Sequence, residues 1–340
     1  MAVGFSAHPD RFAVRVVVAF RDEEPNLHGL LMALSRQTCS DFELVLVDDH
    51  SSDNGWTLAR QFASSFRHFI LLRSAGVGKK AALLTGISFV SPYSQSFSDT
   101  LIMTTDADCL MSGGWVEEVS RSFRSSDTRL LLGPVRLRGS SFLSLEWMSL
   151  QAVTRLTAWL RVPVLCNGAN MAFFRSDFMC LQGSSDIPGA RCASGDDVFL
   201  LQAFRRRGLS VAYLDSPQGV VDTLAPCGLA SFFRQRFRWV RKVRDFHDPV
   251  SLLMAFFVFC LCLLMVVLPL FSLRCYVWTI LLLLLVELPL FFSQARRFNQ
   301  WGSLLWLPVW QVLYPFYVLI SLVGGWASAP LWKGRVLRNG

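Results

Sequence analysis

Four aliphatic or β-branched runs recur along the first third of the chain: Val14 to Phe20, Phe42 to Val47, His68 to Leu72 and Leu101 to Thr105. Between them lie stretches with helical periodicity, Asn26 to Arg36, Trp56 to Phe66 and Lys79 to Phe89. Strands apolar on both faces and alternating with helices predict βαβ units around a mostly parallel sheet, an α/β fold. Further on, Ser140 to Leu160 reads as a long amphipathic helix and Asn170 to Phe174 as a short strand. Asp197 to Arg207 reads as a helix stopped by Gly208, Val211 to Leu214 as a strand, and Gly228 to Arg244 as a helix.

From Val250 the pattern changes. Val250 to Ser272 is 23 residues without a charge, Cys275 to Phe292 carries only Glu287, and Ser303 to Trp332 carries none. Each approaches the roughly 20 apolar residues that cross a bilayer core. The chain is therefore expected to divide into residues 1–245, an α/β domain, and 246–340, a membrane domain with spans near 250–272, 275–292 and 303–326. Pro308 and Pro315 interrupt the last stretch, which either crosses or re-enters. That leaves two to three spans, and the side taken by the basic tail (Lys333, Arg335, Arg338) is open. No basic start followed by an apolar core opens the chain, so the front domain is expected to stay in the cytosol.

The mean hydropathy of +0.39 is high for a wholly soluble protein. A net charge of +8 raises the question of nucleic acid, but six basic residues (Arg234, Arg236, Arg238, Arg241, Lys242, Arg244) directly precede the first span. There anionic lipid headgroups are the expected partner and nucleic acid is not. Nine cysteines without a C-x-x-C pair predict neither a disulfide framework nor a zinc site.

In a parallel sheet the ligand crevice lies beyond the carboxyl ends of the strands. That rule directs attention to Arg21-Asp22-Glu23-Glu24, to Asp48-Asp49 and to Asp106-Ala107-Asp108. Grouped carboxylates need a cation or hydrogen-bond donors between them, and a metal-bound nucleotide diphosphate supplies both. The period of two in an extended chain points Asp106 and Asp108 the same way, toward one cation. Taken alone, a D-x-D at a strand end reads as turn capping. The Gly78-Lys79 pair is not a Walker A loop, because Arg73 stands where that loop needs Gly and Lys80 where it needs Ser or Thr. Gly76 and Gly78 read instead as a turn before a helix whose first lysines face a nucleotide or solvent. Arg205 to Arg207 complement a helix C-terminus.

With VDDHSSDN at 47–54, TTDADC at 104–109, SGDDVFLL at 194–201 and QRFRW at 235–239, the chain resembles the family 2 glycosyltransferases. Within them it looks like the membrane-bound branch that includes cellulose, chitin and hyaluronan synthases and the ceramide glucosyltransferases. The resemblance covers roughly residues 12–245 and implies a GT-A fold, a nucleotide-sugar donor and Mg²⁺ or Mn²⁺. It implies that Glu23 and Asp49 meet the nucleoside and its base, and that Lys79 or Lys80 lies near the nucleotide. Asp106 and Asp108 would match the D-x-D that meets donor and metal, with Asp108 the more direct ligand. Asp197 would be the catalytic base; Asp196 stands where the family has Glu, which leaves the choice between the two open. Asp22 stands where the family has Asn, and its role is open. Gln235 and Arg238 would hold the diphosphate. Trp239 would help form the acceptor site, unless it is only an interfacial anchor, and Asn167 and Gly168, beside Cys166, would border the acceptor.

The chemistry so implied is a single displacement at the anomeric carbon. A carboxylate takes the attacking hydroxyl's proton, and metal and Arg238 offset charge on the leaving diphosphate. With few spans and none before the front domain, the expected acceptor is lipid-linked or membrane-proximal and receives one sugar per event. A processive polysaccharide synthase, with a homo-oligomer enclosing a channel, and a catalytically silent partner subunit are the alternatives. Glu287 is either a functional group inside a span or one that reaches the interface near Pro289.

Overall fold

Phe12–Phe20 (β1) is the third strand of a seven-stranded sheet, buried along nearly its whole length. The computed structural model describes residues 9, 11–183, 196–243, 248–327, 331–332 and 335–336. After β1 come Glu24–Ser35 (α1), Glu43–Asp48 (β2), Gly55–Gln61 (α2) and His68–Arg73 (β3). Lys79–Ser88 (α3), Pro92–Gln95 (α4), Asp99–Asp106 (β4), Leu110–Met111 (β5) and Trp115–Arg124 (α5) follow. Next are Leu130–Leu132 (β6), Val135–Arg138 (β7), Ser141–Trp159 (α6), Met171–Phe174 (β8) and Arg175–Gly183 (α7). Asp196–Arg206 (α8), Val211–Tyr213 (β9) and Val221–Leu224 (β10) lead to the C-terminal helices.

The strand order is β3-β2-β1-β4-β8-β6-β9. All described pairings in it are parallel except those of β8, which runs antiparallel to β4 and β6. This is the expected mostly parallel α/β sheet. The helices follow from local pattern. In α1, Leu27, Leu30, Leu31 and Leu34 are buried at helical spacing, with a proline in the first turn where its missing N–H costs nothing. The α5 helix, not anticipated from the sequence, buries Trp115, Val116, Val119 and Phe123 and places Glu117 and Glu118 in its first turn and Arg121 and Arg124 in its last. The α3 helix lies hard against the sheet: a Cβ on Gly86 would come within 2.6 Å of Val17 and 3.0 Å of Val47.

Arg15 sits inside the apolar run of β1 and is fully buried. Register sets it beside Glu43 of β2, with Nε 2.5 Å from Oε2. Its guanidinium also donates to the carbonyls of Gly86 at 3.2 Å and Phe89 at 2.6 Å, clipping the end of α3 to the sheet. Burial lowers its pKa, opposed by the Glu43 carboxylate.

The chain resolves into two compact units that divide differently from a single boundary at 245: Met1–Val135 with Thr157–Thr223, and Arg136–Leu156 with Leu224–Gly340. Most of α6 and the helix Gly228–Lys242 (α9) therefore belong with the apolar helices Pro249–Phe271 (α10), Leu273–Phe298 (α11) and Leu307–Ala327 (α12). Three helical segments, Pro249–Phe271, Leu273–Phe298 and Trp301–Ala327, are long and apolar enough to cross a membrane. Asp248 caps α10 by accepting from Ser251 N at 2.9 Å, and Ser272 caps α11.

Two expectations change here. Pro308 falls in the first turn of α12 and Pro315 lies inside it without ending it, so the last segment is continuous to Ala327. Glu287 lies well inside α11, because that helix runs on through Arg296 and Arg297 to Phe298, and it accepts from Gln311 Nε2 of α12. A glycine pair brings α12 close to α9: a Cβ on Gly324 would sit 2.2 Å from the Phe237 ring, and one on Gly325 2.7 Å from Val240. Lys333, Arg338 and Arg244 lie outside the described residues.

Candidate active site

The strands β1, β2, β3 and β4 end level with one another, Phe20 opposite Asp48, Asp48 opposite Arg73 and Ala19 opposite Asp106. The loops that leave them share one edge of the sheet. Several acidic residues there are loop braces. Asp22, at φ 48°, accepts from Ser52 N at 2.7 Å and Ser52 Oγ at 3.0 Å, bonds that hold its carboxyl below the usual range. Glu24 accepts from Asn54 N at 3.1 Å, and Asp48 from Ser51 N at 2.9 Å. All three carboxylates accept from backbone N–H groups of the loop that follows β2.

The others converge. Asp49 is fully buried, and its Oδ1 accepts the Gly78 N–H at 2.9 Å. The Arg21 guanidinium lies 3.9 Å from its Oδ2, which has no hydrogen-bond partner among the described residues. Gly78 has φ 102°, a conformation that L side chains rarely adopt, and so turns its N–H onto Asp49 as α3 begins. The next residue, Lys79, places its ammonium on Asp106 Oδ1. Glu23 accepts from Asn26 Nδ2 at 2.7 Å. Beside these groups the Asp108 carboxyl is pushed up to about 6, by burial first and then by the charges of Asp106 and Glu23, with Lys79 opposing. Lys80 is half-buried in the first turn of α3.

Asp197 stands in the first turn of α8. Its Oδ1 accepts from Val198 N at 2.9 Å and its Oδ2 from Gly168 N at 3.2 Å. Gly168 O in turn accepts from Thr104 Oγ1 at 2.9 Å, two residues before Asp106. A two-bond relay thus fastens this carboxylate to the strand that carries the D-x-D. Asn167 closes the local turn, its side-chain oxygen accepting from Ala169 N at 3.0 Å. Asn170 is a buried brace, donating to Pro134 O and Gly219 O and accepting from Trp115 Nε1. Asp196 opens α8, and its side chain lies outside the described residues, as do Ser194 and Gly195.

In the second unit, the α9 helix carries Gln235, Arg238 and Trp239, all half-buried. Trp239 packs on Trp147 of α6, ring centroids 6.0 Å apart. Arg236 overturns one expectation. The basic cluster before the first span is expected to meet lipid headgroups, yet Arg236 is 1% exposed and forms a two-pronged ion pair with Glu146 of α6. Burial works against its charge, and Glu146 together with Tyr317 more than offsets that, so its pKa lies above the ordinary value. Arg234, by contrast, is exposed.

Comparison with known proteins bears on the family. The chain matches the Glycosyl transferase family 2 profile over residues 15–181 and the Glycosyl transferase family group 2 profile over residues 101–293. The chain belongs to the family 2 glycosyltransferases. Two curated relatives named N-acetylglucosaminyltransferase, from Neorhizobium galegae and from Rhizobium meliloti (strain 1021), are each 23% identical, over 69% and 71% of this chain. The chain spans 55% and 58% of their lengths. A glycosyltransferase AglE of Haloferax volcanii is 28% identical over 36% of this chain and 39% of its own. Among solved structures, TarS 1-349 of S. aureus in complex with UDP is 13% identical, covering 95% of each chain with a TM-score of 0.47.

Within this family 2 glycosyltransferase, the Asp106 and Asp108 pair suits a hard divalent cation. Burial first, and then the charges of Asp106 and Glu23, raise the Asp108 carboxyl, and a cation there would favour its ionised form. Among the described residues no group of three or more His, Cys, Asp or Glu is arranged to hold a metal. Two carboxylates fit an ion completed by phosphate and water oxygens better than a closed protein cage. The sequence reading missed the Thr104 hydroxyl, for which no pattern signals a tie to Gly168. It also missed the Glu146–Arg236 pair, for which a signal existed: Glu146 is a lone charge in an apolar stretch, and Arg236 falls four residues after Phe232 on a helix.

Proposed function

We propose that this chain is an inverting glycosyltransferase that moves a sugar from a nucleotide diphosphate to a hydroxyl of a lipid-linked or membrane-proximal acceptor. The observation that carries the reading is the convergence of Glu23, Lys79, Asp106 and Asp108 at one edge of the sheet, with Asp197 tied to the same strand through Gly168 and Thr104. Asp49, with one buried oxygen left over, accepts from the nucleobase, and Glu23 meets the nucleoside. Lys79 turns from Asp106 to the diphosphate when donor arrives. A divalent cation at Asp106 and Asp108 supplies charge compensation for the departing diphosphate. Asp197, oriented by two backbone N–H groups, removes the acceptor hydroxyl's proton as that oxygen attacks the anomeric carbon. Attack opposite the leaving group inverts the centre, so an α-linked donor gives a β-linked product. Gln235 and Arg238 hold the diphosphate, and Trp239, Asn167 and Gly168 border the acceptor. The three apolar segments are membrane spans, with the sheet-bearing domain in the cytosol.

The names of the two rhizobial relatives make a nucleotide-linked N-acetylglucosamine the first donor to test. The experiment uses the full chain in lipid nanodiscs, Mn²⁺ or Mg²⁺, a panel of nucleotide sugars and a membrane lipid extract, with products read by mass spectrometry. Transfer to a lipid is expected, and Asp197→Asn should reduce it by a factor of about 10² or more. No binding or turnover of any donor with either metal sinks the reading. An active Asp197→Asn beside a dead Asp196→Asn moves the base by one residue.

A further inference from the structure

The second unit holds a buried polar knot that the reading above does not use. Glu146 of α6 accepts from Arg236 Nε at 2.7 Å, from Arg236 Nη2 and from the Tyr317 hydroxyl of α12. Three helices, one of them a candidate span, thus meet on a single carboxylate. Arg236 then reaches along its own helix. Its Nη1 donates to Gln235 Oε1, and its guanidinium lies 4.3 Å from the Trp239 ring centroid and 4.4 Å from that of Phe232. Of these three neighbours, Gln235 and Trp239 are the first and last residues of the Q-x-x-R-W motif. An arginine fork held at both prongs by a carboxylate has little rotational freedom, and a stacked indole inherits that restriction.

We propose that Arg236 is a positioning residue for sugar transfer: clamped by Glu146 and Tyr317, it sets the side-chain orientation of Gln235 and Trp239. This rests on the reading that those two residues meet the donor and the acceptor. Lysine in its place keeps the charge but not the fork or the planar stack. Loss of Tyr317's hydroxyl leaves the fork in place and loosens its carboxylate.

The test labels the full chain in nanodiscs with 5-fluorotryptophan and assigns the Trp239 fluorine resonance from a Trp239→Phe sample. In Arg236→Lys and Glu146→Gln the Trp239 resonance, with that of the adjoining Trp147, should shift or broaden while other tryptophans hold; Tyr317→Phe should do the same more weakly. In transfer assays kcat should fall about ten- to a hundredfold for Arg236→Lys, the scale of a reacting group misplaced by an ångström, with donor KM little changed. A Trp239 resonance unmoved in all three variants overturns the proposal. So does a moved resonance with unchanged kcat, or a loss of thermal stability with normal turnover in the folded fraction. If the wild type transfers no sugar, the transferase reading fails, while the resonance still decides whether Arg236 orients Trp239.

Discussion

Lys79 occupies the Asp106 oxygen that a divalent cation would claim, and this single contact carries a measurable consequence. Ammonium and cation compete for one carboxylate, so removing the ammonium should favour the cation. Lys79→Met is expected to bind Mn²⁺ more tightly than wild type in the absence of nucleotide, and to bind a nucleoside diphosphate more weakly. Calorimetry at pH 8 measures both, and an unchanged Mn²⁺ affinity would show that the two do not compete. The neighbouring Asp108 gives a pH dependence with a definite sign. Its carboxyl, pushed up to about 6 by burial and then by Asp106 and Glu23, is partly protonated below that pH, and a cation binds the ionised form. Mn²⁺ affinity should therefore fall as pH is lowered through about 6 and level off above it, with proton release on binding at the acid side. Asp108→Asn should bind Mn²⁺ more weakly and lose most of that pH dependence.

At the scale of elements, the front sheet was readable because its strands are continuous apolar runs; β1, β2, β3 and β4 all lie where the runs lie. The elements that escaped notice are short or amphipathic. The β6 strand has three residues and β5 two, too few for alternation to declare itself, and α5 hides its apolar stripe among charges. The D-x-D was legible because its two carboxylates lie close in sequence, whereas the tie from Thr104 to Gly168 spans 64 residues and no local pattern encodes it. Arg15 is the sharpest case of a buried polar element inside an apolar run. Its pairing with Glu43 through the β1–β2 register implies that either partner alone becomes a buried, uncompensated charge. Arg15→Met or Glu43→Gln should each destabilise the fold by about 3–5 kcal/mol. The double substitution should cost clearly less than the sum of the two, a coupling read from a denaturation cycle. Full additivity would mean that the pair contributes nothing as a pair.

For the whole molecule, the division into units assigns α6 and α9 to the company of the apolar helices, which the hydropathy profile could not do because neither helix is apolar throughout. What binds α9 there is packing, with Gly324 and Gly325 admitting Phe237 and Val240, together with the carboxylate of Glu146. The outward faces of α10, α11 and α12 are a different matter. Phe256, Phe257, Leu270, Leu285, Val323 and Trp326 are each more than 60% exposed, on segments of 23, 26 and 27 residues. A continuous apolar surface of that extent is far beyond what a protein in water leaves uncovered, and hydrocarbon is the solvent that suits it. Alkaline carbonate strips proteins held to membranes by charge and leaves those held by spans. The expected result is therefore that the full chain stays in the membrane pellet at high pH and leaves it only with detergent. Release by carbonate alone would mean that these faces are covered by protein rather than lipid, and the reading of the three segments as spans would fall with it.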